Sequence, residues 1–387
     1  MLTTEATIEL PCKIFLSREG HDYCTMKGVP LQDLVSLEGI KGVGFSRPTL
    51  MAPLVQQLTA NNLITRIESE DIEVISKRKA VIDTTKLIVY GILYRRFRPT
   101  LNAILLDSEV VRYLRSKGAI PMEGKRLKFE PETVRRFVEE NGKAIRSMKA
   151  SLLFNPHKMI DEHPKLDDEQ KHRKKQITRK FIDTIEDDTW FLFNYVRRSS
   201  DKVEIVHRLD KTVSSFMNKT NIADAIAFML MELVQNAETE HFKFLASKDN
   251  LARVKGDGIY DMLRDEAFRA KMKDRAKKSG ALIHLVFHFD NLQYTDRSRR
   301  TRIRVSVTNK GRMETGIGGI GGHRRRVREM SLAEHLQTDL ESLGNPMGMV
   351  YYSYLEEACR EENVRLESSF STDESRNQTT ALMTVTI

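Results

Sequence analysis

The strongest periodic pattern of apolar and polar positions begins at Asn221, in the segment NIADAIAFMLMELVQNAETEH. Apolar side chains recur there at intervals of three and four residues, the spacing that places them on one face of a helix. They are Ile222, Ile226, Met229, Leu230, Leu233 and Ala237. The segment therefore predicts a helix with one buried face and one polar face.

Later segments alternate apolar and polar positions, as strands with one buried face do. Residues 281–289 and 302–308 show this alternation, and a basic, glycine-rich segment follows them. A helix is then predicted from Gly348 to Glu361, followed by two more strands. The inward positions of the four strands are Ile283, Leu285, Phe287 and Phe289; Ile303, Val305 and Val307; Val364, Leu366 and Phe370; Met383, Val385 and Ile387. We expect antiparallel strands with one face covered by helices.

The first half of the chain mixes helix and strand signals. Asp107 is a helix cap and Gly118 a stop signal, and Pro131 opens a second helix that ends at Gly142. The apolar run LIVYGIL, residues 87–93, is typical of a buried strand. The expected fold class is therefore α+β.

One segment of this half resembles a winged helix. It would contain helices at residues 31–40 and 46–61, strands at 64–67 and 72–75, and a basic wing at Lys77 to Lys79. Such a fold inserts its second helix into the DNA major groove, while the wing meets phosphates. The second helix is poor in side chains that read bases, so a protein-binding or structural α+β region is the favoured alternative.

Charge and turn-forming residues are concentrated in residues 155–175, which are poor in periodic apolar positions. We therefore take 155–186 as a charged linker. It separates an N-terminal regulatory or interaction region, 1–154, from a C-terminal domain, 187–387.

Composition indicates a soluble globular protein. Of 387 residues, 40% are hydrophobic and 30% charged, and no apolar stretch is long enough to span a bilayer. The N-terminus lacks the pattern of a secretory signal, and three scattered cysteines provide neither a disulfide framework nor a zinc site. We therefore expect a cytoplasmic protein without membrane association.

The net charge of +9 favours an anionic partner. We expect a protein partner, keep nucleic acid as a weaker alternative and leave a homodimer open. Much of the charge excess lies in short basic runs, which are commonly solvated surfaces.

The polar face of the predicted long helix carries Glu232 and Asn236. Residues four positions apart lie one turn from each other on a helix, so this carboxylate and this amide are neighbours. An amide oxygen can bind Mg²⁺, while a carboxylate can orient or deprotonate an attacking hydroxyl. Glu-x-x-x-Asn alone is common by chance, and its sequence context decides its meaning.

That context resembles the GHKL superfamily of gyrases, heat-shock chaperones, mismatch-repair ATPases and histidine or anti-sigma kinases. ELVQNAETEH, VSVTNKG, NPMGM and QTTALMTVTI occur in the order of the family motifs. The resemblance implies an α/β sandwich with a mixed, mainly antiparallel sheet that binds ATP and Mg²⁺. It covers roughly the last half of the chain.

The resemblance also implies roles for individual residues. Glu232 corresponds to the catalytic base and Asn236 to the Mg²⁺ ligand. Asn309 replaces the aspartate that accepts a hydrogen bond from the adenine amino group, and its amide oxygen can still accept one. Gly311 matches the first glycine of that motif, whereas Met313 replaces the second.

The remaining motifs depart further from the family pattern. Gly348 alone matches the Gly-x-Gly turn that precedes the last helix and lets backbone N–H groups approach phosphates. Gln378 and Thr379 replace the final Gly-Thr pair, of which the threonine is retained. Residues 316–322, a glycine cluster next to Arg324 to Arg326, are an alternative anion-binding segment or a lid.

Two features of the chain differ from the histidine kinases. Residues 243–280 form an insertion with helical periodicity at Ile259, Met262, Phe268 and Met272, which we interpret as a candidate partner-binding element. No histidine has the setting of a phosphoacceptor: His207 lies on a predicted strand, and His163 and His172 lie in the linker.

The leading hypothesis is a cytoplasmic regulatory protein with a histidine-kinase-like ATP-binding domain. It would act as a protein kinase of the anti-sigma type or as a slow ATPase. The alternatives are a catalytically inactive pseudo-ATPase that serves as a protein-interaction module and a DNA-binding regulator with an ATPase-like sensor domain.

Overall fold

A computed structural model gives the fold of most of the chain. It describes residues 7–70, 74–118, 122–123, 126–127, 129–164, 166–183, 185, 187–193, 199–248, 262, 265–280, 282–295, 298–311 and 348–387. The helices are α1 (Arg18–Met26), α2 (Ala52–Ala60), α3 (Val74–Leu106), α4 (Glu109–Ser116), α5 (Pro131–Glu140), α6 (Gly142–Asp161), α7 (Asp168–Asp183), α8 (Asp187–Phe193), α9 (Ser199–Lys248), α10 (Glu266–Ser279) and α11 (Gly348–Glu361). The strands are β1 (Thr7–Ile8), β2 (Cys12–Leu16), β3 (Gln32–Val35), β4 (Lys41–Arg47), β5 (Leu50–Met51), β6 (Ile64–Glu70), β7 (Met122–Glu123), β8 (Arg126–Leu127), β9 (His284–Thr295), β10 (Ser298–Lys310), β11 (Arg365–Asp373) and β12 (Gln378–Thr386). The fold is a mixture of helices and antiparallel strands, as the α+β prediction expected.

Strands from both ends of the chain form one sheet of eight strands. Their order is β11-β12-β10-β9-β6-β2-β4-β3, and the pairs described between them are all antiparallel. The junction is the β6–β9 pair, in which Ile67 lies opposite Phe287. The sheet therefore joins segments that the sequence analysis assigned to separate regions, 1–154 and 187–387.

The two faces of this sheet differ in chemistry because side chains alternate along each strand. One cross-strand row contains Ile67, Phe287, Val305 and Met383, each at most 2% exposed. The next row, on the opposite face, contains Arg66, His288, Arg304 and Thr384. The sheet thus has an apolar face that belongs to the core and a polar face.

The C-terminal elements were predicted well. The strands at 281–289 and 302–308 are confirmed as β9 and β10, and their apolar positions are buried. The helix from Gly348 to Glu361 is confirmed with the predicted bounds. The two final strands are confirmed as β11 and β12.

Several predictions for the first half were wrong. Residues 87–93 belong to α3 rather than to a strand, and all seven residues are buried. An apolar run without alternation suits a helix buried on all sides as well as a buried strand. Helices at 107–118 and 131–142 are confirmed as α4 and α5, although Ser108 rather than Asp107 is the residue before α4.

The winged-helix interpretation was also wrong. Residues 31–40 form β3 and a turn in which Gly39 has a φ of +82°. The predicted second helix, 46–61, is helical only in α2, because its first residues belong to β4 and β5. Residues 74 and 75 open α3, which also includes the predicted wing, Lys77 to Lys79. Glycine at positive φ favours a hairpin turn, and this signal outweighs the helical spacing of the apolar positions.

Most described residues of the predicted linker are helical, and the exceptions are 162–164, 166–167 and 185. Residues 155–161 complete α6, and residues 168–183 form α7. His172 lies on α7, and His207 lies on α9 rather than on the predicted strand. No helix in the described ranges combines the length and the apolar character that crossing a membrane requires.

The chain divides into two compact units. One consists of residues 2–92 and 222–387 and contains the eight-stranded sheet; the other consists of residues 93–221 and is largely helical. The core of the helical unit includes a cluster of Tyr94, Phe97, Phe181 and Phe216, in which the last two rings stack with centroids 3.9 Å apart. These units do not follow the predicted boundaries at residues 154 and 187.

Candidate functional site

The predicted acid and amide lie together on α9. The Asn236 side-chain Nδ2 donates a hydrogen bond to Glu232 Oε1 over 3.4 Å, as their spacing of four residues predicted. Glu232 is 4% exposed, and Asn236 is half-buried. The pair therefore has a fixed mutual geometry on the surface of one helix.

The next two motif residues meet across neighbouring strands. Asn309, near the end of β10, pairs with Thr379, near the start of β12, and each is 1% exposed. Asn309 Nδ2 donates to the carbonyl oxygen of Lys310 over 2.9 Å. Asn309 Oδ1 is buried and has no hydrogen-bond partner among the described residues.

This unused acceptor is energetically costly. A buried polar atom without a partner costs about 1–3 kcal/mol, because it has lost water and gained nothing in exchange. Nearly all buried polar groups in folded proteins are paired, so an exception needs an explanation. A bound molecule that donates a hydrogen bond to Asn309 Oδ1 is one such explanation.

Gly311 closes this end of β10 in a conformation that suits glycine. Its φ is +101°, and a Cβ atom there would lie 2.9 Å from the carbonyl oxygen of Glu240. The Gly311 carbonyl oxygen accepts a hydrogen bond of 2.8 Å from Thr379 Oγ1, and its N–H donates to the Asn377 carbonyl. The glycine is therefore required both by the backbone and by close packing against α9.

Helix α9 contacts the end of β10 directly. The Lys310 N–H donates to His241 Nδ1 over 3.3 Å, next to the contact between Gly311 and Glu240. Glu232, Asn236 and Glu240 follow one another at intervals of four residues, so they share one helix face and each step rises by about 6 Å. The acid and amide thus lie within about two turns of the strand end that carries Asn309.

The remaining predicted residues are only partly described. Gly348 is the first residue of α11, and the N–H groups of that helix's first turn have no acceptor within the helix itself. Met313, residues 316–322, Arg324 to Arg326 and residues 345–347 lie outside the described residues. In the described part of the chain, no group of three His, Cys, Asp or Glu side chains has the arrangement of a metal site.

The part of the insertion that forms α10 packs against α9, the helix that carries the site. Met272 and Ala276 of α10 share a buried core cluster with Phe242, Leu245 and Ala246 of α9. Arg269 Nη2 lies 2.8 Å from Glu238 Oε1, and both side chains are buried. Ile259 lies outside the described residues, and α10 includes the predicted apolar positions Phe268 and Met272.

Comparison with protein families matches residues 3–387 to a family described as a family of unknown function, DUF8084. The chain belongs to DUF8084. An uncharacterized protein of Treponema pallidum (strain Nichols) is 22% identical over 369 residues, which cover 94% of each chain. No solved structure matches. The DUF8084 match includes the N-terminal strands as well as the candidate site, consistent with a single sheet built from both.

Sequence reasoning missed two residues of this DUF8084 chain that lie beside the site. His241 and Glu238 both occur in the ELVQNAETEH motif, yet nothing in the sequence indicates their partners, Lys310 and Arg269. Glutamate is usually exposed and histidine is often partly exposed, whereas His241 is 1% exposed and Glu238 is 3% exposed. Their burial was the missing information.

Proposed function

We propose that the C-terminal part of this chain binds ATP with Mg²⁺ through a GHKL-type site and acts as a regulatory protein kinase or slow ATPase. The observation that carries the proposal is the buried Oδ1 of Asn309, which has no hydrogen-bond partner within the described ranges. This acceptor lies where the resemblance requires a group that accepts the adenine amino hydrogen. Its amide nitrogen is already used by the Lys310 carbonyl, so the oxygen is the atom left for a ligand.

The order and pairing of elements support the same proposal. The helix α9, the hairpin β9–β10, the helix α11 and the hairpin β11–β12 occur in this order along the chain, with α10 between α9 and β9. Strands β9, β10, β12 and β11 are successive neighbours in the sheet. Gly311 and Thr379, 68 residues apart, are joined by a hydrogen bond. Motif residues from separate segments are thus in contact. Motifs that matched only by chance would have no reason to lie together.

The donor set fits a magnesium-bound nucleotide. Mg²⁺ commonly takes one or two protein oxygens and completes its shell with phosphates and water, so a cluster of three acidic residues is unnecessary. The Asn236 side chain would supply one oxygen. When bound, the ion neutralises charge on the phosphates, and Glu232 would orient a serine hydroxyl or a water for attack.

Calorimetric titration of the full chain with ATP and Mg²⁺ tests the binding. Wild type should bind, and Asn236→Ala should lose binding because the metal ligand is removed. Gln235→Ala is the matched control, since it removes an amide from the adjacent position of the same helix and should bind like wild type. Equal affinity of wild type and Asn236→Ala would remove Asn236 from the site.

Turnover requires a separate variant. Glu232→Gln keeps the size of the side chain and removes its basicity, so it should retain ATP binding and lose about a hundredfold or more of any hydrolysis or phosphoryl transfer. Phosphate release and labelling of candidate protein substrates from γ-labelled ATP measure these two activities. Unchanged turnover would exclude Glu232 as the base.

The pseudo-ATPase alternative has its own support. Asn309 carries no charge, and Gln378 replaces a glycine, so two groups that a nucleotide would use are altered. Complete absence of ATP affinity in the wild-type chain would favour this alternative. The DNA-binding alternative can no longer rest on a winged helix, because the predicted wing belongs to α3.

A further inference from the structure

One backbone donor at the end of β10 has no pairing partner in the strands that the structure describes. Thr308 pairs with His284, the first residue of β9, so β10 continues past the end of its neighbour. Alternate residues of an antiparallel strand direct their N–H groups to opposite sides. Thr301 and Gly311 donate toward β12 and the turn before it, and Lys310 therefore donates toward the side where β9 is absent.

His241 of α9 supplies the missing acceptor. Its Nδ1 lies 3.3 Å from the Lys310 nitrogen, and the ring is 1% exposed. Because Nδ1 accepts, a neutral ring carries its proton on Nε2. The Lys310 carbonyl accepts from Asn309 Nδ2, so both backbone groups of Lys310 are bound by side chains.

We propose that His241 is a positioning residue of the ATP site, an inference that rests on the proposed function. It fixes the peptide that joins Asn309 to Lys310 relative to α9, the helix that carries the proposed metal ligand. Without this acceptor the Lys310 peptide would rotate to find another partner, since an unpaired buried N–H is costly. This peptide joins Asn309 to Lys310, so its rotation would change ψ of Asn309 and φ of Lys310. It would thereby disturb both ends of the hydrogen bond from the Asn309 amide to the Lys310 carbonyl.

The consequence is specific to the base of the nucleotide. Asn309 contacts the adenine in the proposed site, whereas the phosphates and Mg²⁺ interact with Asn236. Loss of the His241 acceptor should therefore weaken recognition of the base and leave recognition of the triphosphate intact. General damage to the fold would weaken both.

The test compares ATP with inorganic tripolyphosphate, each titrated with Mg²⁺ into the full chain. His241→Leu should raise the Kd for ATP about tenfold, the value of one hydrogen bond of ordinary strength. The Kd for tripolyphosphate should not change. Thermal unfolding followed by circular dichroism verifies that the variant is folded.

Two further variants keep a polar side chain at this position and separate the roles of the two ring nitrogens. In His241→Asn the amide oxygen lies near the position of Nδ1, whereas in His241→Gln it lies near that of Nε2. His241→Asn should bind ATP almost as wild type does, and His241→Gln should resemble His241→Leu. This pair decides the question if the leucine variant does not fold.

Three results would overturn the inference. They are an unchanged Kd for ATP in His241→Leu, equal weakening of ATP and tripolyphosphate, and equal ATP binding by the asparagine and glutamine variants. A wild-type chain that binds no ATP would instead overturn the proposed function together with this inference. The two failures are therefore distinguishable.

Discussion

His288 and Arg304 lie opposite each other on the polar sheet face, and Arg66 flanks the same histidine from β6. Arg66 itself is nearly buried, with Nη1 2.9 Å from Glu38 Oε2 and with Glu68 beside its Nε. Burial and the two guanidinium groups hold the pKa of His288 below its ordinary value, although Glu38 and Asp290 act in the opposite direction. Burial likewise lowers the pKa of His284.

These shifts predict that the protein loses stability in mild acid. A histidine with a lowered pKa binds fewer protons in the folded than in the unfolded chain, so its contribution is complete above about pH 6.5 and is lost as pH falls through the folded-state pKa. His288→Gln should reduce the fall in unfolding free energy between about pH 7.5 and pH 5, by at most about 1.4 kcal/mol per pH unit for one proton. Urea denaturation at a series of pH values measures how the free energy of unfolding depends on pH.

The control for this prediction is His172→Gln, which replaces an exposed histidine on α7. It accounts for the general effect of exchanging a histidine for an amide. A slope unchanged by His288→Gln would show that His288 does not contribute to acid sensitivity. His284 should continue to contribute, so we expect the slope to decrease without disappearing.

At this scale the sequence revealed residue types and the structure revealed their partners. The order of the motifs indicated Asn309, but no sequence pattern indicates that its Oδ1 lacks a partner among the residues described. The sequence shows that His241 belongs to the motif. It does not show that β9 begins opposite Thr308, two residues before Lys310. Partners of this kind depend on where neighbouring strands end, which local sequence does not determine.

Among the elements, strands with one buried face were the easiest to predict. β9, β10 and β12 alternate clearly because one face belongs to the core and the other is polar. The strand prediction for residues 87–93 of α3 was wrong because this run is apolar on all sides of the helix. Its β-branched and aromatic side chains are typical of strands and favoured that prediction. Burial of this part of the helix on all sides overrides that local preference.

The close contact between α2 and α3 yields a prediction for Gly91. A Cβ atom at Gly91 would lie 2.7 Å from Thr59 Cβ and 3.2 Å from the Ala60 nitrogen. Gly91→Ala should therefore destabilise the fold by about 1–3 kcal/mol through overpacking, despite alanine's better helix propensity. Chemical denaturation of the full chain measures the difference.

Gly142 provides the matched control for this contact. It is the first residue of α6, and a Cβ there would meet only the flexible end of Arg146 at 3.6 Å. Gly142→Ala should be neutral or slightly stabilising, because it adds helix propensity without a clash. Equal effects of the two substitutions would contradict the close packing of α2 against α3.

For the molecule as a whole, the largest error of sequence reasoning was the separation of the two halves. Ile67 and Phe287 are about 220 residues apart and lie opposite each other in the sheet. Each strand has an ordinary pattern, and nothing in either pattern identifies its neighbour. Long-range pairing therefore had to come from the structure, and it places β6 beside the strands of the proposed ATP site.

The charge is also distributed unevenly between the two units. Residues 93–221 carry 28 Lys and Arg against 19 Asp and Glu, so this helical unit accounts for the whole net charge of +9. The unit with the eight-stranded sheet is therefore neutral overall. An anionic partner suggested by the composition should act on the helical unit and not on the segment first interpreted as a winged helix.

We therefore expect the full chain to bind a single-stranded DNA oligonucleotide weakly and with strong salt dependence. Replacing Arg136, Lys143 and Arg146, which are exposed on α5 and α6, by glutamine should weaken this binding. If all three meet phosphates, the slope of log affinity against log salt should decrease by about two, since each contact with a single strand contributes about 0.7. Fluorescence anisotropy at several salt concentrations measures both quantities.

A triple variant of the neutral unit controls for the loss of three positive charges. Lys27, Lys41 and Arg47 are exposed there, and their replacement by glutamine changes the total charge by the same amount. If the helical unit provides the surface, this control should retain most of the affinity and the salt slope. Equal losses in the two triple variants would show that net charge alone attracts the polyanion, and the nucleic-acid alternative would then have no defined surface on this chain.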